Sequence, residues 1–182
     1  MKFEVFRGQY GSITAELQSK LPSITFGSFK TAKLYATEPN KREDKVIKSI
    51  VLSAFIQINN PIINNNSDCF ADFDVLIDRL GTDFMWYMAE KHANHIYNTN
   101  NWEDNYSQFN SISELKKCKP MEIINLYLDA YVLLDDSEFV AYAKEHGYDG
   151  AIHIGNGQTY NELEYRIFSE EQVSNLQEVS CF

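Results

Sequence analysis

Tyr160-Asn161-Glu162-Leu163-Glu164-Tyr165-Arg166-Ile167-Phe168 sets two carboxylates one residue apart at the start of an aromatic-rich run that reads as a strand over 162–168. Side chains at i and i+2 of a strand point to the same face. Glu162 and Glu164 are thereby brought together beside apolar neighbours, which costs stability unless something cationic binds there. Two features at the other end of the chain bear on this pair. Arg7-Gly8 closes the first apolar run, and a small-residue turn, Thr25-Phe26-Gly27-Ser28, precedes a short helical pattern with Phe29, Ala32, Tyr35 and Ala36 at helical spacing.

Working outward, strands are expected over 3–6, stopping at Gly8, and over 23–26, 46–58, 151–154, 162–168 and 176–179. Gly8, Gly11 and Ser12 suggest a turn, and a short helix is expected over 13–21, ended by Pro22. Asn59-Asn60-Pro61 stops the longest strand, and 64–67 reads as a polar loop. The middle is different in kind. Phe70, Phe73, Leu76, Ile77, Leu80, Phe84 and Met88 keep an i, i+3, i+4 rhythm broken near Gly81-Thr82, which predicts a helix pair or kinked helix to about residue 97. Residues 98–110 are polar and read as a loop or lid. Further helices are expected over 121–128 and 137–145, the latter capped by Gly147. Strands at both ends with helices between them indicate an α+β fold rather than a regular alternation. The expected organisation is a single domain over 1–182 with a helical insertion at about 68–146.

A length of 182 residues suits one domain with a sizeable core, and 44% hydrophobic with 14% aromatic content places it among globular chains. A net charge of −10, with no basic cluster larger than Lys116-Lys117-Cys118-Lys119, argues against a general nucleic-acid binder, which needs a basic face. Cys69, Cys118 and Cys181 are odd in number, widely separated and without metal spacing, which suits a reducing compartment. No N-terminal signal-like segment and no run of about 20 apolar residues is present, so the expectation is a soluble, cytoplasmic protein without a membrane partner.

Each candidate group has a plain structural reading beside a chemical one. Glu162 and Glu164 read as solvated edge-strand charges, or as a carboxylate pair that handles a cation or a cation-like transition state. Arg7 reads as a surface ion-pair partner, or as a fork of donors for a phosphate or a ribose hydroxyl, with Gly8 admitting a ligand to the backbone. Ser28 is a helix cap or holds a neighbouring site residue, and Tyr35 is a core aromatic or a flat face for a ring. His92 and His95 lie three apart beside Glu90, but no further ligand is placed for a metal, and none is expected. Gly155-Asn156-Gly157 lacks the Lys and the following helix of a phosphate loop, and His153 reads as structural.

The set resembles one family. An Arg on the first strand, a small Thr/Ser strand end before a helix, and Glu-x-Glu entering a late strand are similar to the mono-ADP-ribosyltransferase superfamily of the Arg-Ser-Glu type. Phe26-Gly27-Ser28-Phe29-Lys30-Thr31-Ala32-Lys33-Leu34-Tyr35-Ala36 resembles the segment carrying that family's helix and nicotinamide-stacking tyrosine. Gly147-Tyr148-Asp149-Gly150-Ala151-Ile152, Glu164-Tyr165-Arg166-Ile167-Phe168 and Glu171-Gln172-Val173 resemble the C-terminal half of small transferase domains of phage and mobile elements. The likeness covers about 1–60 and 145–180, and the helical middle carries none of it. The family's Ser-Thr-Ser is not intact, and Thr25, Phe26 and Ser28 compete for its place.

The resemblance implies an ADP-ribosyltransferase-like fold, two small, mainly antiparallel sheets around an NAD cleft. It implies transfer of ADP-ribose from NAD, a substrate, to a protein side chain, with release of nicotinamide and no metal. Glu164 would stabilise the ribose cation, and Glu162 would hold and activate an acceptor arginine. Arg7, Gly8, Thr25, Ser28 and Tyr35 would bind NAD, and Tyr160 would face the acceptor. The implied setting is a phage or bacterial effector acting on a host or defence protein, in the host cytoplasm if phage-encoded. Two other classes stay open: an acidic binding protein that inhibits a partner by covering its basic surface without catalysis, and an NAD glycohydrolase that needs no acceptor.

Overall fold

Phe3 and Val5 alternate with polar residues in the first strand, β1 (Lys2–Tyr10), and turn toward an apolar core shared by two sheets. The computed structural model of the chain describes residues 1–10, 14–17, 19–37, 49–156 and 161–179. In the first sheet β1 pairs antiparallel with β3 (Ser49–Gln57), and β3 with β9 (Val173–Val179), in the order β1-β3-β9. The second sheet runs in the order β2 (Ile24–Phe26), β8 (Leu163–Ile167), β7 (Gly150–Ile154), β4 (Pro61–Asn65). It is mixed: β4 and β7 are parallel, the other pairs antiparallel. A small third sheet joins β5 (Phe70–Asp72) to β6 (Tyr127–Asp129). The fold is therefore α+β with small mixed sheets and several helices.

Between the first two sheets lie Val5, Ala54, Ile56, Ile24, Phe26, Ile152 and Ile167. Burying one such Ile or Val fully is worth roughly 1.5–3 kcal/mol. The opposite face of the second sheet contributes Ile63 and Ala151 to a second core, filled mainly from the central segment by residues such as Phe73, Met85, Met88, Ile96, Leu128, Leu133 and Phe139. The second sheet is thus the middle layer, and β7 is buried on both faces.

The central helices are α2 (Phe73–Leu80), α3 (Thr82–Lys91), α4 (Ala93–Tyr97), α5 (Asn100–Asn105), α6 (Ile112–Cys118), α7 (Ala130–Leu134) and α8 (Ser137–Glu145). Gly81, with φ +87°, makes the break between α2 and α3 that the interrupted rhythm predicts. Asp136 caps α8 by accepting from the Glu138 and Phe139 amides, and it also takes Lys91 at 2.8 Å and His92 at 2.9 Å, tying the end of α3 to α8.

Several expectations are corrected. β1 does not stop at Gly8 but runs on to Tyr10, because all nine of its residues find partners on β3. No helix covers the described part of 13–21. There the Gln9 side chain donates to the Glu16 carbonyl and Ser19 Oγ to the Leu21 and Ser23 carbonyls, local bonds that compete with a helical ladder. Residues 98–110 are not a lid: Thr99 caps α5, and Trp102 and Tyr106 are buried in the central core. In place of a helix over 121–128 there is a 3-10 turn at Pro120–Asn125 and then β6. Part of the expected 64–67 loop belongs to β4, which pairs with β7. Val46, Ile47, Gly11, Ser12 and Ile13 lie outside the described residues. No helix among the described residues is long and apolar enough to cross a membrane.

α1 (Phe29–Thr37) lies on the first sheet with Ala32 and Ala36 against Val51 and Phe6. The close approach depends on Gly8. A Cβ built there would sit 1.9 Å from the Ala32 carbonyl oxygen and 2.9 Å from the Ala36 nitrogen, both backbone atoms that cannot step aside. Gly8→Ala therefore forces α1 off the sheet, and its urea midpoint should fall by the equivalent of about 1–3 kcal/mol. Gly27→Ala, whose nearest contact would be 3.5 Å from a Thr31 methyl, should stay within about 0.5 kcal/mol of the parent. Equal midpoints for Gly8→Ala and the parent would refute this account of the helix–sheet contact.

Candidate functional site

β2 pairs with β8 only as far as Phe26↔Tyr165. At the next residue, Gly27, the backbone turns to β1 and exchanges both hydrogen bonds with Phe6, each 2.9 Å. Arg7, next along β1, reaches back and donates from Nη1 to the Thr25 carbonyl at 2.7 Å. A cleft of about 290 Å³ lies at this fork. Its walls are Phe6, Arg7 and Gly8 of β1, Thr25 and Phe26 of β2, Thr31, Ala32 and Tyr35 of α1, and Glu164 and Arg166 of β8, with Leu21 and Gly27 at the turn.

Of the residues singled out in the sequence, Arg7, Gly8, Thr25, Tyr35 and Glu164 line this one cleft, although they come from four elements. Tyr35 is 44% exposed, so it is not the core aromatic of its plain reading but a partly exposed ring in the cleft wall. Gly8 has the structural duty toward α1 described above. Glu164 is only 4% exposed, so it is not a solvated edge charge. Buried carboxylates need partners, and two cationic or potentially cationic groups face it. Arg166 Nη2 lies 3.5 Å and His153 Nε2 3.9 Å from Glu164 Oε2.

Glu162 and Glu164 do not form the expected same-face pair, because Glu162 precedes the strand and bends away to the start of α1. Its Oε2 accepts from Ser28 Oγ and, at 2.6 Å, from Thr31 Oγ1, and Oε1 lies 3.3 Å from Lys30 Nζ. These bonds, Ser28's first and Thr31's next, hold the Glu162 carboxyl below its ordinary value of 4.5. Ser28 Oγ in turn accepts from the Thr31 amide at 3.2 Å, so Ser28 does serve as a helix cap, and it stands beside the cleft rather than in its wall. Tyr160 lies outside the described residues.

Three contributors were missed as site residues in the sequence. Arg166, two residues after Glu164 on β8, follows from the same i, i+2 rule that was applied to the wrong pair. It donates from Nη1 to Asp135 Oδ1 at 2.8 Å and to Ser23 Oγ at 3.3 Å. Thr31 sits three residues after the cap, where its hydroxyl reaches the same carboxylate. His153 stands directly across from Glu164 in the β7–β8 ladder. Its Nδ1 is 2.8 Å from the Ile154 carbonyl, so Nδ1 carries the proton in the neutral ring and Nε2 is turned toward the carboxylate. Burial pushes the His153 pKa down.

Two guanidiniums and one carboxylate line the cleft, and Asp135 adds a second carboxylate behind Arg166. Burial, and next the charge of Arg166, lower the Arg7 pKa to about 10, which leaves Arg7 charged at neutral pH. The cleft thus brings together guanidinium donors, the aromatic ring of Tyr35 and a carboxylate shielded from water.

The clamp on Glu162 has a pH signature. Its carboxyl is held below 4.5 in the fold, so the stabilisation is complete above that value and is lost as pH falls through the lowered pKa. Glu162→Gln should cost about 0.5–1.5 kcal/mol at pH 7, and the gap to the parent should shrink under acid. Thermal midpoints of the two proteins between pH 7 and pH ~3 check this. A constant gap would mean that the ionised form is not what Ser28 and Thr31 hold. Comparison of the chain with protein-family models, with curated proteins and with solved structures returns no match, so the functional reading rests on the cleft itself.

Proposed function

We propose that this protein transfers ADP-ribose from NAD to a protein side chain and releases nicotinamide, on an ADP-ribosyltransferase-like arrangement of its two larger sheets. The observation that carries the reading is the convergence of Arg7, Thr25, Tyr35 and Glu164 on one cleft from β1, β2, α1 and β8. The cleft suits the nicotinamide-ribose end of NAD and the adjoining phosphate, with the remainder of the dinucleotide lying outward along the surface. Tyr35 stacks on the nicotinamide, and Arg7 holds the phosphate or the ribose.

The reaction breaks the bond between the ribose C1′ and the nicotinamide nitrogen. The electron pair leaves with nicotinamide, which departs neutral, and positive charge develops on the ribose ring as in glycoside cleavage. Glu164, largely removed from water, faces that charge and stabilises it. An acceptor nucleophile then attacks C1′, and its proton passes to the Glu162 carboxylate and on to water. In this reading Glu162 also holds a cationic acceptor such as arginine. The setting in keeping with this activity is a cytoplasm, as for a phage or bacterial effector whose target is a host protein.

One observation favours a second reading. The Glu162 carboxylate already carries Ser28, Thr31 and Lys30, so an acceptor guanidinium must displace the Lys30 ammonium. If water takes the acceptor's place, the same cleft hydrolyses NAD. Labelled NAD incubated with the protein and cell lysate separates the two, because transfer puts label in a protein band and hydrolysis leaves it in free ADP-ribose. Glu164→Gln should retain NAD binding and lose about 10²–10³ in nicotinamide release. Unchanged release by Glu164→Gln would remove Glu164 from the chemistry, and no consumption of NAD by the parent protein would remove the reading altogether.

A further inference from the structure

Arg166 is anchored from behind the cleft wall. One end of its planar fork is fixed by Asp135 at 2.8 Å and Ser23 at 3.3 Å, which leaves Nη2 aimed at Glu164 at 3.5 Å. Asp135 does not belong to the sheets. It sits between α7 and α8, in the central helical segment. That segment docks on the middle sheet through its own apolar core, with Ile63, Ala151 and Phe168 on the sheet side, so its docking does not need a charged pair at the rim.

We propose that Arg166 is a positioning residue for Glu164, and that Asp135, reaching in from the helical segment, sets the guanidinium that does the positioning. The proposal rests on the reading of Glu164 as the acting carboxylate. It gives the central segment a task in the chemistry: Asp135 fixes Arg166, a cation beside Glu164. A carboxylate left to choose among rotamers spends little time where a cation develops, and an error near 1 Å costs up to about 10²-fold.

The test is the Asp135→Asn variant. Its side chain is 30% exposed, which makes the change tolerable for folding. Asn cannot hold Arg166 by charge, so kcat for nicotinamide release should fall about 10–100-fold while KM for NAD stays within about threefold. Asp135→Glu, which restores the carboxylate, should recover part of the loss. A second readout does not depend on turnover. Arg166 Nη2 stands 3.5 Å from Glu164 Oε2, so a crystal structure of Asp135→Asn should show the Glu164 carboxylate displaced. A kcat within about twofold of the parent, or a Glu164 carboxylate that has not moved, overturns the proposal. A parent protein no faster than Glu164→Gln sinks the transfer reading instead, and the place of Glu164 in the Asp135→Asn structure still decides whether Asp135 positions it.

Discussion

The pair of backbone hydrogen bonds between Phe6 and Gly27 is the constraint on which the site depends. It binds the end of β2, which belongs to the middle sheet, to β1, which belongs to the outer sheet. Backbone groups buried between sheets must be paired somewhere. By pairing Gly27 with Phe6 and not with β8, the chain ends the β2–β8 ladder at Phe26 and leaves a fork. The candidate site lies at that fork. Arg7 is one residue beyond the bond on one side, α1 begins two residues beyond it on the other, and Glu164 stands one residue past the last β8 pair.

The charges at the fork are arranged as a chain. Asp135 holds Arg166, Arg166 and His153 flank Glu164, and Arg7 braces the edge of β2 through the Thr25 carbonyl. Burying these groups costs desolvation that pairing offsets only in part, so this is a poor way to gain stability. It is a good way to hold a carboxylate at a set place in a dry wall. The surface clamp of Ser28, Thr31 and Lys30 on Glu162 is different. It is solvent-facing, it secures the start of α1, and it leaves the two acids of Glu-x-Glu with separate surroundings although only Leu163 lies between them.

How much of this was legible in the sequence varies with the kind of signal. The α+β class followed from strands at the ends and helical rhythm in the middle, and the Gly81 break and the α8 boundaries were visible because they use local chemistry. Arg7, Tyr35 and Glu164 could be named because each sits beside a strong local marker: Gly8, a helical repeat and an aromatic strand. Other features were hidden for physical reasons. Trp102 lies in an Asn-rich stretch whose polarity suggests a loop, and only its burial against Tyr97 and Tyr106 reveals a helix. The tie from Asp135 to Arg166 joins residues 31 apart in sequence and leaves no local pattern. The same-face rule was sound, but it needed the strand to begin at Leu163. A start one residue later than expected moves Glu162 off the sheet and makes Arg166, not Glu162, the partner of Glu164.

Direct sight of the ligand tests the central claim most plainly. A crystal structure of the Glu164→Gln variant grown with NAD should place the nicotinamide ring against Tyr35, the adjoining phosphate within hydrogen-bond reach of Arg7, and the ribose C1′ in front of residue 164. NAD bound elsewhere on the molecule, or a cleft that stays empty at saturating NAD, would contradict the account.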